Sequence, residues 1–173
     1  MGFSISKGLV IVAVSEASSY LIYDCFSMMT CTEIAGSPLS LGSGYYADGP
    51  VSISSEGLVA AIFTSSSNDY YIAFFKCNFT TCTPFGDYFP VSDSVDSVAI
   101  SGNLVAVGAY AGSDSQGQVT VFTCNSTSCT PSTPFSTTDS EQMDYFGSAV
   151  TWFGTVLIVG APFGNGGAGA VPL

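Results

Sequence analysis

The 173-residue sequence contains no histidine and no arginine, and its side-chain cations are two lysines, Lys7 and Lys76. Without an imidazole, the chain has no histidine general base, no Ser-His or Cys-His nucleophile pair, and few ways to build a catalytic zinc site. The 13 acidic residues give a net charge of -11, which repels phosphate backbones, and two lysines cannot release enough counterions to hold one. We therefore expect no nucleic acid partner and no enzymatic activity.

Charge of either sign is also scarce. Only 9% of the residues are charged, against roughly a quarter in an average soluble domain, while 47% are hydrophobic and the mean hydropathy is +0.45. A spanning helix needs about 20 consecutive apolar residues, whereas no apolar run here is longer than the six residues of Leu9–Val14. We therefore expect no membrane insertion. The 13 phenylalanines and nine tyrosines also exclude disorder, because disordered chains are poor in aromatic residues.

What the sequence does contain is an internal repeat. A glycine followed by an aliphatic run occurs four times, and the spacings between its leading aliphatic residues are 49, 46 and 52. These leading residues are Leu9, Leu58, Leu104 and Val156. The first cysteines of three local pairs, Cys25, Cys77 and Cys124, keep nearly the same step, at 52 and 47 residues. Two independent features with a period of about 50 indicate a tandem array.

The array forms one repeat domain over residues 1–173, with repeats at about 2–47, 48–95, 96–146 and a partial fourth at 147–173. In the third repeat, the composition predicts strands at Val98–Ser101, Leu104–Ala109 and Gln118–Thr123, and a weaker strand after Cys129. The second of these strands is apolar almost throughout, as in a strand buried on both faces.

Four strands in each period of about 50 residues predict an all-β fold, a propeller-like array of four-stranded antiparallel blades. Three repeats and part of a fourth cannot close a ring. We therefore expect an open array unless further sequence or another subunit completes it. For the partial fourth repeat, the sequence predicts a glycine-rich turn at Gly164–Gly169 and only a stub of the third strand at Ala168–Val171.

The first apolar segment allows a second interpretation. Lys7 followed by Gly8–Val14 resembles a short signal peptide. The same segment aligns with the second strand of every other repeat, and we therefore favour a strand.

The fourth repeat resembles an FG-GAP repeat. It contains Phe146-Gly147 and Gly160-Ala161-Pro162, the two short sequences that give this family its name. The third repeat keeps Gly108-Ala109-Tyr110, whereas the first two diverge and show Gly2-Phe3 and Asp48-Gly49 near the Phe-Gly position. FG-GAP repeats build the β-propellers of integrin α-chain heads and of many secreted adhesion or surface proteins. The resemblance therefore implies a propeller-like array in an extracellular protein.

The loops between first and second strands differ from those of integrin-like repeats, which often carry an aspartate-rich calcium site there. Alternating carboxylates are what such a site needs to surround a hard cation with oxygens, and the loops here contain one carboxylate, Glu56. These loops are Ser6–Gly8, Ser54–Gly57, Ser101–Asn103 and Trp152–Gly154. We predict no calcium, no other metal and no cofactor.

The six cysteines form three local pairs. The second and third pairs fall at the end of a predicted third strand, where a four-residue loop returns the chain as the fourth strand. Facing positions across such a hairpin can bring two Cβ atoms within about 3.5–4.5 Å, which suits a disulfide. The alternative, a metal site, requires pairs from separate repeats to converge. We predict hairpin disulfides and an oxidising compartment. The pairs are Cys25 with Cys31, Cys77 with Cys82, and Cys124 with Cys129.

Two of the cysteine loops also contain N-glycosylation acceptor sequences, Asn78-Phe79-Thr80 and Asn125-Ser126-Thr127. Each directly follows the first cysteine of its pair, at an expected exposed loop tip. We therefore predict N-linked glycans at Asn78 and Asn125.

The first cysteine loop has no acceptor sequence and is apolar at its tip, which contains Phe26, Met28 and Met29. Two interpretations remain open. The loop folds onto its own blade, or the three side chains contact a neighbouring subunit.

These observations favour a non-enzymatic extracellular structural glycoprotein that assembles head-to-tail into a surface layer, appendage or fibre. Its partners would be other copies of itself or neighbouring blades, because an open array leaves strand edges that act as pairing templates. The alternative is an adhesion head that binds a protein or glycan ligand, or a fragment of a larger one. In either case, glycans and a Ser/Thr-rich surface would replace charge as the source of solubility.

Overall fold

The computed structural model describes residues 3–6, 8–14, 19–27, 30–92, 94–111, 116–136 and 144–163. These residues form strands, turns and loops and no helix, which confirms the predicted all-β class. Accordingly, no helix among them could cross a membrane. The glycine-rich turn and the third-strand stub predicted for the fourth repeat lie outside the described residues.

The strands of the described residues fall into four antiparallel sheets, one for each predicted repeat. Their bounds are β1 Phe3–Ser6, β2 Leu9–Val14, β3 Ser19–Ser27, β4 Thr30–Glu33, β5 Tyr45–Ile53, β6 Leu58–Ser65, β7 Tyr70–Cys77, β8 Cys82–Pro84, β9 Phe89–Val91, β10 Val95–Ser101, β11 Leu104–Ala109, β12 Gln118–Cys124, β13 Cys129–Pro131, β14 Ala149–Phe153 and β15 Val156–Gly160. The sheet orders are β1-β2-β3-β4, β5-β6-β7-β8 with β9 also on β7, β10-β11-β12-β13, and β14-β15. Each sheet therefore follows chain order.

In the second and third repeats, the second strand is the most buried, as its apolar sequence predicts. Every residue from Leu58 to Phe63 in β6 is buried, and so is every residue from Val105 to Ala109 in β11. The apolar segment at Leu9–Val14 is β2, which pairs with β1 on one side and β3 on the other. The strand predicted for this segment is thus confirmed.

The chain divides into two compact units, Met1–Pro90 and Val91–Leu173. In the first unit, β5 packs across β1 and β2, so that the first strand of the second repeat covers the sheet of the first repeat. In the second unit, β14 packs across β10 and β11 in the same manner. Each unit therefore contains two repeats and one joint between them.

After the fourth strand, the chain returns to the start of the third strand, a feature that the sequence did not predict. In the first repeat, the Leu39 N–H donates to the Tyr20 carbonyl at 2.7 Å, and the Tyr20 N–H donates back at 3.2 Å. In the third repeat, Phe135 and Val119 exchange the same two bonds at 2.9 and 2.8 Å. The short strand β9 pairs with β7 in the second repeat. The return segments thus pair with the third strand in all three of these repeats.

Candidate functional site

The three predicted disulfides are present and close three hairpins. Cys77 faces Cys82, and Cys124 faces Cys129, with Cα–Cα distances of 4.1 and 3.9 Å. The first bridge joins Cys25 to Cys31, with Cα atoms 4.3 Å apart. Its loop is one residue longer, and the β3–β4 register accordingly shifts between Asp24 and Ser27.

The two glycosylation acceptor sequences lie at the exposed tips of the second and third hairpins. The Asn78 Oδ1 accepts the N–H groups of Thr80 and Thr81, each at 2.8 Å, and the Thr80 hydroxyl at 2.8 Å. The Asn125 Oδ1 accepts the Thr127 N–H at 2.8 Å and its hydroxyl at 3.1 Å. These bonds all engage the carbonyl side of the amide, so the nitrogen, to which an N-linked sugar is attached, lies on the opposite side of the group.

The hairpin that carries Asn78 is anchored to the first repeat. The Ala35 N–H donates to the Thr80 carbonyl at 3.2 Å, and the Cys82 N–H donates to the Ala35 carbonyl at 2.7 Å. Next to it, Gly36 has a φ of +85°, and a Cβ there would lie 2.0 Å from the Cys82 carbonyl oxygen. This glycine is therefore required by both its conformation and its close approach.

A groove of about 230 Å³ lies beside this hairpin. Its walls come from Ser6, Leu9, the turn Ser54–Gly57 and the segment Cys77–Phe79. Glu56 is the one carboxylate in this lining, so the groove lacks the pair of titratable groups that general acid–base chemistry uses. Among the residues that the structure describes, no three His, Cys, Asp or Glu side chains are grouped closely enough to hold a metal ion.

The apolar tip of the first hairpin lies largely outside the described residues. Met28, Met29 and the side chain of Phe26 lie outside the described part of the chain. A contact between this tip and a neighbouring subunit therefore stays a prediction.

The Phe-Gly and Gly-Ala-Pro sequences of the fourth repeat meet inside the second unit. Phe146 is buried in an apolar cluster with Val119, Val159 and Ala161. Gly147, with a φ of +92°, donates its N–H to the Gly160 carbonyl at 3.0 Å. The two motifs are therefore the two sides of one contact.

The same Phe-Gly pair also packs against the third repeat. The Ser97 hydroxyl donates to the Gly147 carbonyl at 2.8 Å. A Cβ at Gly108 would lie 2.0 Å from that carbonyl oxygen, and a Cβ at Gly117 would lie 1.9 Å from the Phe146 carbonyl oxygen. The third repeat thus needs glycine at both positions, because the backbone of the following Phe-Gly pair passes directly over them.

Comparison with known proteins agrees with this geometry. Residues 135–171 match the family model described as the FG-GAP repeat. The chain carries an FG-GAP repeat. The FG-GAP match includes both named motifs and begins at Phe135. Phe135 forms the two backbone hydrogen bonds with Val119 described above. The centroid of its ring lies 6.3 Å from that of Phe146. No curated protein matches the chain.

The second repeat lacks both motifs, and its joint is packed differently. Leu58 and Val156 are equivalent, which places Phe63 where the fourth repeat has Ala161. Phe63 is fully buried and faces Ala47 across the β5–β6 pair. The second repeat therefore has a large buried side chain where the FG-GAP repeat has an alanine.

Tyr20 packs against Phe63 in the joint between the first two repeats. It is fully buried at the position of Val119, and its ring makes an edge-to-face contact with Phe63 at 5.2 Å between centroids. Its hydroxyl donates to the Ile62 carbonyl at 2.5 Å and accepts the Gly49 N–H at 3.3 Å. Burial raises the pKa of Tyr20 far above that of an ordinary tyrosine. The phenol therefore stays protonated and keeps this link between the first and second repeats.

Proposed function

We propose that the chain is an extracellular, N-glycosylated repeat protein of the adhesion type, which acts by binding a protein or glycan ligand. The observation that carries this proposal is the FG-GAP repeat at residues 135–171, since such repeats are typical of propeller-like adhesion domains. The three disulfides are consistent with an extracellular protein.

The chemistry of the side chains supports binding rather than catalysis. The sequence has no histidine or arginine, and the groove beside the second hairpin has Glu56 as its one carboxylate. The proposal therefore includes no cofactor and no metal, and it places no substrate in this groove.

The geometry of the two hairpins supports glycosylation. Asn78 and Asn125 are both exposed, and both have the carbonyl oxygen of the side chain held by the following residues. Sugars at these tips would add hydration to a surface that has few charges. This would explain how a chain of membrane-like hydropathy stays in solution.

A binding assay on the whole chain tests the proposed function. The secreted protein, immobilised on a sensor, should bind at least one member of a panel of extracellular-matrix proteins and oligosaccharides with saturable kinetics. Because the proposal includes no calcium site, EDTA should leave the affinity unchanged. A reduced and alkylated sample is the matched control and should not bind. The absence of saturable binding across the panel would contradict the proposal, and a loss of binding in EDTA would contradict its metal-free form.

Self-assembly is the second candidate, and one observation favours it. Within the described residues, β15 pairs with β14 alone, and this hairpin exposes 78% of Phe153 and 51% of Val156. An open strand edge beside apolar side chains is a template on which another copy can add a strand.

Sedimentation velocity over a range of concentrations separates the two candidates. If the chain self-assembles, the size of the sedimenting species should increase with concentration and should be smaller in a Phe153→Ser variant. A single monomeric species at all concentrations excludes self-assembly.

A further inference from the structure

Three tyrosines from different elements form a surface cluster in the first unit. Tyr45 begins β5, Tyr71 lies in β7, and Tyr88 lies in the loop between β8 and β9. The ring centroids are 5.4 Å apart for Tyr45 and Tyr71, 5.8 Å for Tyr45 and Tyr88, and 5.7 Å for Tyr71 and Tyr88. All three pairs are edge-to-face, the arrangement that the ring quadrupoles favour.

One pair in this cluster also brings its hydroxyl groups together. The phenolic oxygens of Tyr45 and Tyr88 are 3.5 Å apart, at the outer limit of a hydrogen bond. This bond to Tyr88 raises the pKa of Tyr45 to about 12, so Tyr45 is a neutral phenol at physiological pH. Tyr88 is 47% exposed and Tyr45 is half-buried, so a dissolved oxidant can reach the pair.

We propose that Tyr45 and Tyr88 form an oxidative cross-linking site, at which hydrogen peroxide, acting through a haem peroxidase, joins the two rings as a dityrosine. The site lies at the protein surface, and the oxidant is external to the chain. The proposal depends on the contact between the two phenols and is independent of the ligand-binding function proposed above.

The reaction balances with hydrogen peroxide as the oxidant. Each phenol gives up one electron and its hydroxyl proton and becomes a phenoxyl radical, whose unpaired electron is shared with the ring carbons ortho to the oxygen. A carbon–carbon bond then forms between one Cε of Tyr45 and one Cε of Tyr88. Each of these carbons loses its hydrogen as a proton, and the phenolic oxygens are reprotonated. The protein loses two hydrogen atoms in all, and one hydrogen peroxide is reduced to two waters.

The geometry favours Tyr45 as the partner of Tyr88 over Tyr46, the other exposed tyrosine among the described residues. The reacting Cε carbons are the direct neighbours of the hydroxyl-bearing carbons, so two phenols in hydroxyl contact already have these positions close together. Tyr88 lies in a loop, where its ring can turn from the edge-to-face orientation towards coupling. Tyr46, the next residue after Tyr45, is 46% exposed but points to the opposite side of β5, since successive side chains of a strand alternate.

The experiment treats the full folded chain with a haem peroxidase and limiting hydrogen peroxide. We expect a monomer that is lighter by two hydrogen atoms, has dityrosine fluorescence and yields a cross-linked peptide containing Tyr45 and Tyr88. The Tyr45→Phe and Tyr88→Phe variants should lose this product. The Tyr46→Phe variant is matched in exposure and should keep it.

Three results would overturn the proposal. They are a cross-link that persists in the Tyr88→Phe variant, an equal loss of product in Tyr46→Phe, or covalent dimers as the main product. Phenylalanine removes the hydroxyl alone, and far-UV circular dichroism will establish that each variant is folded. As a second measurement, urea-unfolded chain should lose the Tyr45–Tyr88 product, because unfolding separates two residues that are 43 positions apart.

Discussion

The Phe63→Ala variant should unfold with a free energy about 3–5 kcal/mol below that of the parent chain. Phe63 is fully buried, and its ring contacts those of Tyr20 and Phe75, at centroid distances of 5.2 and 6.3 Å. Truncation would leave a cavity at the joint between the first two repeats. Urea unfolding followed by far-UV circular dichroism measures the loss.

The pairing of Phe63 with Ala47 predicts that a second substitution will repair part of this loss. Ala47→Phe alone should destabilise the unit by about 1–3 kcal/mol, because it overfills a packed core. Combined with Phe63→Ala, the same substitution fills part of the cavity that the truncation leaves, because Ala47 faces Phe63 across the β5–β6 pair. The double variant should therefore be more stable than Phe63→Ala alone. Simple addition of the two losses would show that Ala47 and Phe63 do not form a size-matched pair.

The second large effect is expected at Gly108, in the joint of the FG-GAP repeat. The Gly108→Ala variant places a methyl group 2.0 Å from the Gly147 carbonyl oxygen and 2.5 Å from the Ser97 hydroxyl. The backbone of the fourth repeat must therefore move away from the third. The cost should be about 3 kcal/mol, the upper end of overpacking effects, because the obstructing atom belongs to the backbone.

Gly160 provides the matched control for this substitution. It is the equivalent glycine of the fourth repeat, and a Cβ there would meet Ala149 at 3.4 Å, an ordinary contact distance. Gly160→Ala should therefore change stability by less than about 1 kcal/mol. The single tryptophan, Trp152, reports on the joint directly, since its indole N–H donates to the Ala99 carbonyl at 3.2 Å across it. Equal effects of the two substitutions on tryptophan fluorescence and stability would contradict the proposed role of Gly108.

The strands and the disulfides could be predicted from the sequence because their determinants are local. Leu104–Ala109 is apolar along its whole length and lies between turn residues, and the structure has β11 at that position. Cys77 and Cys82 are separated by a loop of hairpin length, so a few φ/ψ angles decide whether they meet. The Phe-Gly and Gly-Ala-Pro motifs indicated the FG-GAP family in the same local way.

The joints between repeats could not be predicted because they depend on residues far apart in sequence. Tyr20 and Phe63 are each ordinary core residues in isolation, and their complementarity to Gly49 and Ala47 emerges only when the sheets are packed. The segment after β13 pairs with β12 through two backbone hydrogen bonds between Phe135 and Val119. Backbone hydrogen bonds leave no pattern of side chains that a sequence could show. A comparison of aligned positions between repeats could have found that Phe63 stands where the fourth repeat has Ala161.

The tyrosine cluster was missed for the same reason. Tyr45, Tyr71 and Tyr88 come from two strands and a loop, and no spacing in the sequence connects them. The abundance of tyrosine is evident from the composition, but the composition does not show which tyrosines meet.

The central claim is that this chain is an extracellular glycoprotein with its hairpins closed by disulfides. The most direct test is the intact mass of the chain, secreted from a glycosylating eukaryotic host behind a secretion signal, before and after N-glycosidase treatment without reductant. We predict a mass that falls by two N-glycans to that of the polypeptide with three disulfides and with Asn78 and Asn125 converted to aspartate, because the glycosidase hydrolyses the side-chain amide. We also predict a mass one glycan lower for each of the Thr80→Ala and Thr127→Ala variants before treatment. A secreted chain with the mass of the bare polypeptide, or with free thiols, would contradict the claim.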